Sequence, residues 1–186
     1  MTVKVSAGDL LIAPPTMPDP RFEHRVLFVT HHNTRGAFAL CMNKPTEHSL
    51  KDILAPLDIT LDRNPPLYWG GPVGASTIWM LHDPQWSVEN TMRIDQHWAI
   101  TSHLHMFNKM AQGDYPSRFR IMFGHASWDA GQLEAELEGR EPWNHNSSWL
   151  VAHKPDPQWL IDYDPDELWT SSCSLCSQQT VESWMA

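Results

Sequence analysis

No run of this sequence approaches the roughly 18 consecutive apolar residues that read as a membrane span. The opening Met-Thr-Val-Lys-Val-Ser-Ala-Gly-Asp-Leu also lacks the apolar segment of a secretory signal, so a cytoplasmic protein with no membrane partner is expected. Cysteine is scarce: the three are odd in number and only Cys173 and Cys176 lie close together, which argues for reduced thiols rather than a disulfide framework. In that setting the Asn146-Ser147-Ser148 triplet carries no glycan. Positive charge is scarce too. Thirteen Lys and Arg against 22 Asp and Glu give a formal net charge of −9 with His neutral, which disfavours direct nucleic-acid binding because the phosphate backbone is repelled. Arg118, Arg120 and Lys109 are the nearest thing to a basic patch, and three cations read as a solvated face.

What is present in quantity is aromatic and conformationally stiff: ten Trp, eleven His, nine Met and fifteen Pro. Each Trp brings a large apolar area with an N–H that needs an acceptor, so the rings suit a core and rim of amphipathic side chains. The prolines imply a chain that turns often, built of strands and short helices. At 186 residues the chain suits a single domain, and 41% apolar content is enough to bury one sizeable core.

Along the chain, Leu10–Ala13 reads as a strand stopped by Pro14-Pro15, and Val26–Val29 as a strand covered on both faces. A turn over His31–Gly36 leads to a second strand, Ala37–Met42, making a hairpin. Ser49–Ala55 has helical spacing with Thr46 or Ser49 available as the cap and Pro56 closing it. Strands are expected over Leu67–Trp69 and Thr77–Leu81, on either side of a Gly70-Gly71-Pro72 corner, and again within Thr91–Ile94 and His97–Ile100. Ser102 reads as the cap of a helix ending at Gly113. Arg118–Phe123 reads as a strand, Gly124 as its break, and Asp129 with Gln132 as a capping box for a helix closed by Gly139. Trp149–Ala152 is a late strand. Asp164-Pro165 opens a helix, while the Ser/Cys/Gln-rich tail from Thr170 shows little periodicity.

Most candidate chemistry is incomplete. Cys173-Ser-Leu-Cys176 is half a zinc motif without its second half, so no metal and no cofactor is expected, with Cys173 and Cys176 the weak candidates. His103 and His105, placed in one helical turn, point about 200° apart, too far to share an ion. Gly70-Gly71-Pro72 lacks the lysine and hydroxyl of a phosphate loop and reads as a tight corner. Gly124-His-Ala-Ser127 is no nucleophile elbow, because Trp128 and Asp129 stand where its second glycine belongs.

Four segments, in order, resemble the YqgE/AlgH family. They are Leu10-Leu11-Ile12-Ala13-Pro14 with Asp19-Pro20-x-Phe22; His32-Asn33, Gly36-Ala37 and Asn43-Lys44-Pro45; Tyr68 to Val73 with Gly70-Gly71-Pro72, then Leu81-His82; and Gly124 to Glu136 with Trp128 and Gly131-Gln132-Leu133-Glu134. Two departures stand out: Ala39 occupies a usual glycine position, and the chain beyond about residue 156 matches poorly and is expected to be a divergent, mobile tail. The resemblance implies an α+β fold with a coiled, mostly antiparallel sheet approaching a flattened barrel and helices packed outside. It implies no established enzymatic activity; one member is named as a transcriptional regulator of exopolysaccharide synthesis. It also implies that His32, Asn43, Gly70, Gly71, Trp128 and Gln132 line one cleft. The resulting expectation is a non-enzymatic binding or regulatory protein with a protein partner, its alternative a small-molecule or nucleotide-binding protein, an enzyme included, using the region of His32, Asn43 and Gln132.

Overall fold

Continuous apolar runs become strands buried on both faces. The computed structural model describes residues 3–143 and 149–186, so the Asn146 triplet lies outside the described residues. Strands β1 (Leu10–Ile12), β2 (Val26–Asn33) and β3 (Gly36–Cys41) form an antiparallel group. Alternate residues on them divide between two cores. Leu10, Ile12, Val26, Phe28, Leu40 and Met42 face one way. Leu11, Ala13, Leu27, Val29, Ala39 and Cys41 face the other. Period-two side-chain alternation with both faces covered explains why these runs show no polar positions. Ala39, at the family's glycine position, is fully buried, opposite Ala126 on β8 and Val29 on β2, next to the register shift between Val29 and His31.

The remaining elements are α1 (Leu50–Leu54), β4 (Leu67–Trp69), β5 (Val73–His82), β6 (Met92–Arg93), β7 (Ala99–Thr101), α2 (His105–Ala111), β8 (Phe119–Asp129), α3 (Gln132–Glu138), β9 (Leu150–Ala152), α4 (Pro157–Asp162) and α5 (Pro165–Met185). The strand order is β6-β7-β5-β8-β3-β2-β1-β9, and among the described strands only β4 runs parallel to its partner, β8. The sheet curls into a half-barrel with the helices around it, the α+β architecture expected.

Strand β8 organises this sheet by changing partners midway. Phe119–Phe123 pair with β5 and, through residues 121–123, with β4. Ala126–Asp129 pair with β3. In the fork between β3 and β8, the Cys41 amide donates to Gly70 O and the Gly70 amide to Phe123 O. Gly124 is therefore no break: at φ +71 it lets the strand continue through the fork. Here the chain after β4 crosses β8 almost backbone to backbone. A Cβ on Gly71 would sit 2.0 Å from the His125 carbonyl carbon, and one on Gly124 would sit 2.3 Å from Gly71 O.

Several local expectations need correcting. The strand expected to end at Phe123 runs on to Asp129, so Trp128 lies inside β8, opposite Ala37. Helix α3 starts at Gln132 behind Gly131, and of the capping box only the reach-back half forms, the Asp129 amide donating to Gln132 Oε1 at 3.0 Å. Helix α2 has no side-chain cap, because Ser102 lies too far upstream of His105. The aperiodic tail is a 21-residue helix, α5, started by Asp164, whose side chain accepts the Asp166 amide. Helix α4 begins with the same Asp-Pro device at Asp156-Pro157, and its Leu160 joins Leu168 of α5 in the first core. Cys173, Leu175 and Cys176 pack partly buried against that core, so a weakly patterned helix is held by one narrow seam. The expected solvated basic face does not form. Arg120 is only 6% exposed, stacks on Tyr68 and donates to Met42 O and Ile161 O, tying α4 to the sheet. Arg118 lies over Trp98, and Lys109 lies over Trp86 and pairs with Asp114.

Candidate functional site

The corner where β8 passes into α3 builds an open cleft of about 480 Å³. Its floor is Ala126, Ser127 and Trp128, one wall is Gln132 and Glu136 of α3, and the other is the Met17–Phe22 loop. Trp149, just before β9, closes the end and meets Phe22 edge to face at 5.6 Å. Pro72, following the glycine crossing, forms the lip.

Glu136 is the centre of this arrangement. It is 5% exposed, yet side-chain donors reach it from three described residues, each at 3.0 Å: Trp128 Nε1 and Trp149 Nε1 to Oε2, and Gln132 Nε2 to Oε1. Two indoles distant in sequence are thereby fixed edge-on by one carboxylate, which solves the acceptor problem that buried tryptophans pose. At the rim, Arg21 grips Asp19 through Nη2 at 2.7 Å, and that bond leads the effects holding the Asp19 carboxyl below its ordinary range despite partial burial. Among the described residues no histidine, cysteine or lysine lines the cleft, so none of them stands beside Ser127 as a base.

The six residues expected in one cleft separate. Trp128 and Gln132 line it. Gly70 and Gly71 form the crossing beside it, where their lack of a side chain matters. Asn43 is buried, taking the Val26 amide on Oδ1 and donating from Nδ2 to His24 O, a clamp on the entry to β2. His32 bridges Val5 O at 2.7 Å and Glu134 Oε1 at 2.8 Å, joining the N-terminal segment to α3. Burial opposes ionisation of Glu134, but its own amide and His32 outweigh burial and hold its carboxyl low. Phe22, Glu136 and Trp149 belong to the site although none of the three is expected in the cleft from the sequence. A glutamate four residues after Gln132 is the available signal, because i and i+4 share a helix face.

Two other groups have defined chemistry. Glu89, His103 and His105 bring their ligand atoms within 4.8 Å of one another, the only such cluster of three or more among the described residues. His103 precedes α2 rather than lying in it, which is why the two rings meet despite the helical argument. His103 Nδ1 already accepts the His105 amide at 3.2 Å, so its lone pair is engaged. Cys173 and Cys176 gain no third ligand among the described residues, and burial first, then Cys176, pushes the Cys173 thiol up.

His82 is fully buried at the end of a directed chain of hydrogen bonds. The Val88 amide donates to Thr91 Oγ1, Thr91 to Thr101, and Thr101 to His82 Nε2, while His82 Nδ1 donates to Asp83 O. Burial leads the effects lowering its pKa below 6.5, so the folded protein holds it neutral. The unfolded chain therefore binds more protons as pH falls through 6.5, and folding stability must decline there. Urea unfolding at pH 7.5 and 5.5 is expected to show a smaller loss for His82→Gln than for the wild type; equal losses would rule out His82 as a contributor.

A family model described as AlgH-like matches residues 10–180. The chain belongs to the AlgH-like family. It is 37% identical over 147 residues to a UPF0301 protein of Marinomonas sp. (strain MWYL1), covering 76% of this chain and 73% of the relative. It is 37% identical over 142 residues to a UPF0301 protein of Burkholderia cenocepacia (strain HI2424), with 73% of each covered. The solution structure of AlgH from Pseudomonas aeruginosa superposes with a TM-score of 0.74 at 31% identity, covering 91% of this chain and 87% of that one. A Corynebacterium diphtheriae protein shares the fold, with a TM-score of 0.68 at 20% identity over 92% and 87% of the two chains. Within this AlgH-like chain, the residue 10–180 match takes in α4 and α5 as far as residue 180. No described helix is long and apolar enough to cross a membrane.

Proposed function

We propose that this AlgH-like protein is a non-enzymatic binding module that receives a protein partner in the Trp128–Gln132–Glu136 cleft. The carrying observation is the way Glu136 is used. A buried carboxylate in a cleft is a common acid or base, but here three donors occupy its oxygens and turn it into a scaffold for two indoles. What the cleft offers a visitor is aromatic surface from Phe22, Trp128 and Trp149, the thioether of Met17, and the Asp19–Arg21 pair at its edge. Rigid aromatic anchors with a polar rim are the composition of protein interfaces. A side chain of an extended partner segment fits this volume, and the cytoplasm, where three unpaired thiols persist, is the compartment the reading requires. A regulatory role would then act through that protein contact, since the scattered, engaged cations Arg118, Arg120 and Lys109 offer nucleic acid no common face.

Ser127 is exposed and lines the cleft, so a photoreactive residue placed there samples the visitor directly. Crosslinking in cells is expected to give a discrete protein adduct from position 127 and none from the exposed Asp52 on α1. Equal yields at the two positions, or no adduct at 127, would remove the proposal.

A further inference from the structure

A second cavity lies on a different part of the molecule, where the curl of the sheet brings β6 and β7 round to face β2 and β3. It measures about 470 Å³, within the range of small-molecule pockets, and barrel mouths are a favoured place for them. Phe38, Trp79, Ile94 and Ile100 form its wall. All four adjoin or belong to the core that contains Leu10 and Phe28, so the cavity is an unfilled extension of that core. Met92 stands at its edge, 57% exposed on a two-residue strand.

Its charge is opposite to that of the molecule. The chain carries −9, yet among the described residues no aspartate or glutamate lines the cavity and Arg93 does. Arg93 Nε donates to the backbone oxygen of Asp95, and its two terminal nitrogens have no ion-pair partner among the described residues. The Asp95 carboxylate is taken elsewhere: Oδ1 accepts the His97 and Trp98 amides, and Oδ2 lies 4.0 Å from Lys154 Nζ. Trp79 Nε1, a buried ring nitrogen at this wall, has no hydrogen-bond partner among the described residues. His125 stacks on Phe38 at 4.2 Å, and Trp79 meets Phe38 edge to face at 5.0 Å. Buried polar atoms are rarely left unpaired in a finished core, so this wall lacks an acceptor.

We infer that this cavity binds a small apolar carboxylate, its hydrocarbon body against Phe38, Trp79 and Ile100 and its carboxylate on the Arg93 guanidinium. The guanidinium fork matches a carboxylate in two parallel hydrogen bonds, whereas an alcohol of the same length takes one neutral bond. The site shares no residue with the Trp128 cleft, so it stands or falls separately from the protein-binding proposal.

Octanoate and 1-octanol are suitable probes, titrated into the full chain while isoleucine methyl signals are followed by NMR. Octanoate is expected to saturate one site, shifting the Ile94 and Ile100 methyls, and to bind more tightly than octanol. Arg93→Gln, a change at an exposed residue of an edge strand, should weaken octanoate about tenfold, the order expected for losing a charge-assisted pair, and leave octanol within about twofold. The inference is overturned if octanoate shows no saturable shift, if the shifts fall elsewhere, or if Arg93→Gln changes the two probes equally or not at all.

Discussion

Replacing Glu136 with alanine is expected to destabilise the fold by roughly 3–5 kcal/mol, because two indole N–H groups and an amide lose a charged acceptor and each buried unmade bond costs about 1–3 kcal/mol. That is a large share of the roughly 5–15 kcal/mol by which domains are typically stable. Glu136→Gln should cost about half as much, since one oxygen still accepts while the new amide faces a donor. Glu138→Ala is the control. Its carboxylate pairs with Arg140 at the surface, and such a pair contributes at most about 1 kcal/mol. Urea unfolding measures all three, and tryptophan emission reports separately whether Trp128 and Trp149 become wetter in the native state. If Glu136→Ala unfolds like Glu138→Ala, Glu136 is not the scaffold of the cleft.

Gly71→Ala is expected to be comparably severe, at about 3 kcal/mol or more, or to prevent folding. The added methyl would lie 2.0 Å from one backbone atom of His125 and 2.2 Å from another, and backbone cannot move aside as a flexible side chain does. Gly131→Ala separates crowding from backbone conformation. Gly131 has φ +75, and a methyl added there would meet nothing within 4 Å, so only the left-handed conformation is penalised, by about 1–2 kcal/mol. Equal losses at positions 71 and 131 would mean that the crossing is looser than the geometry shows.

These two sites show what is legible in the sequence and what is not. The strands are readable because both cores draw on alternate residues of unbroken apolar runs, as in Leu10–Ile12 and Val26–Val29. The Gly70-Gly71-Pro72 corner is readable as a corner, but its reason is not, since it depends on Gly124 more than fifty residues away. The same Gly124 reads wrongly as a strand end because a lone glycine looks alike in a break and in a crossing. Trp128 and Gln132 meet in the cleft as near neighbours in the chain, four residues apart. Phe22 and Trp149 are not expected at the cleft from the sequence, because it is the long-range pairing of β1 with β9 that brings the β1–β2 loop and the residue before β9 to the same corner. His32 and Asn43 share the family motifs for a different reason, as clamps on the N-terminal segment and the start of β2. The long α5 is hard to see because its apolar positions are sparse, and its Asp-Pro start is the clearest local signal.

If the cleft receives a protein segment on a preformed aromatic surface, filling the cleft will shut that segment out. Ser127→Trp adds bulk at an exposed floor position whose side chain takes no part in the Glu136 hydrogen bonds. Partner capture should be measured for this variant against the wild type, using the protein identified by crosslinking from position 127. Loss of capture with unfolding stability within about 0.5 kcal/mol of wild type is the predicted result, as expected for a surface change away from the core. Undiminished capture by the filled cleft would contradict it.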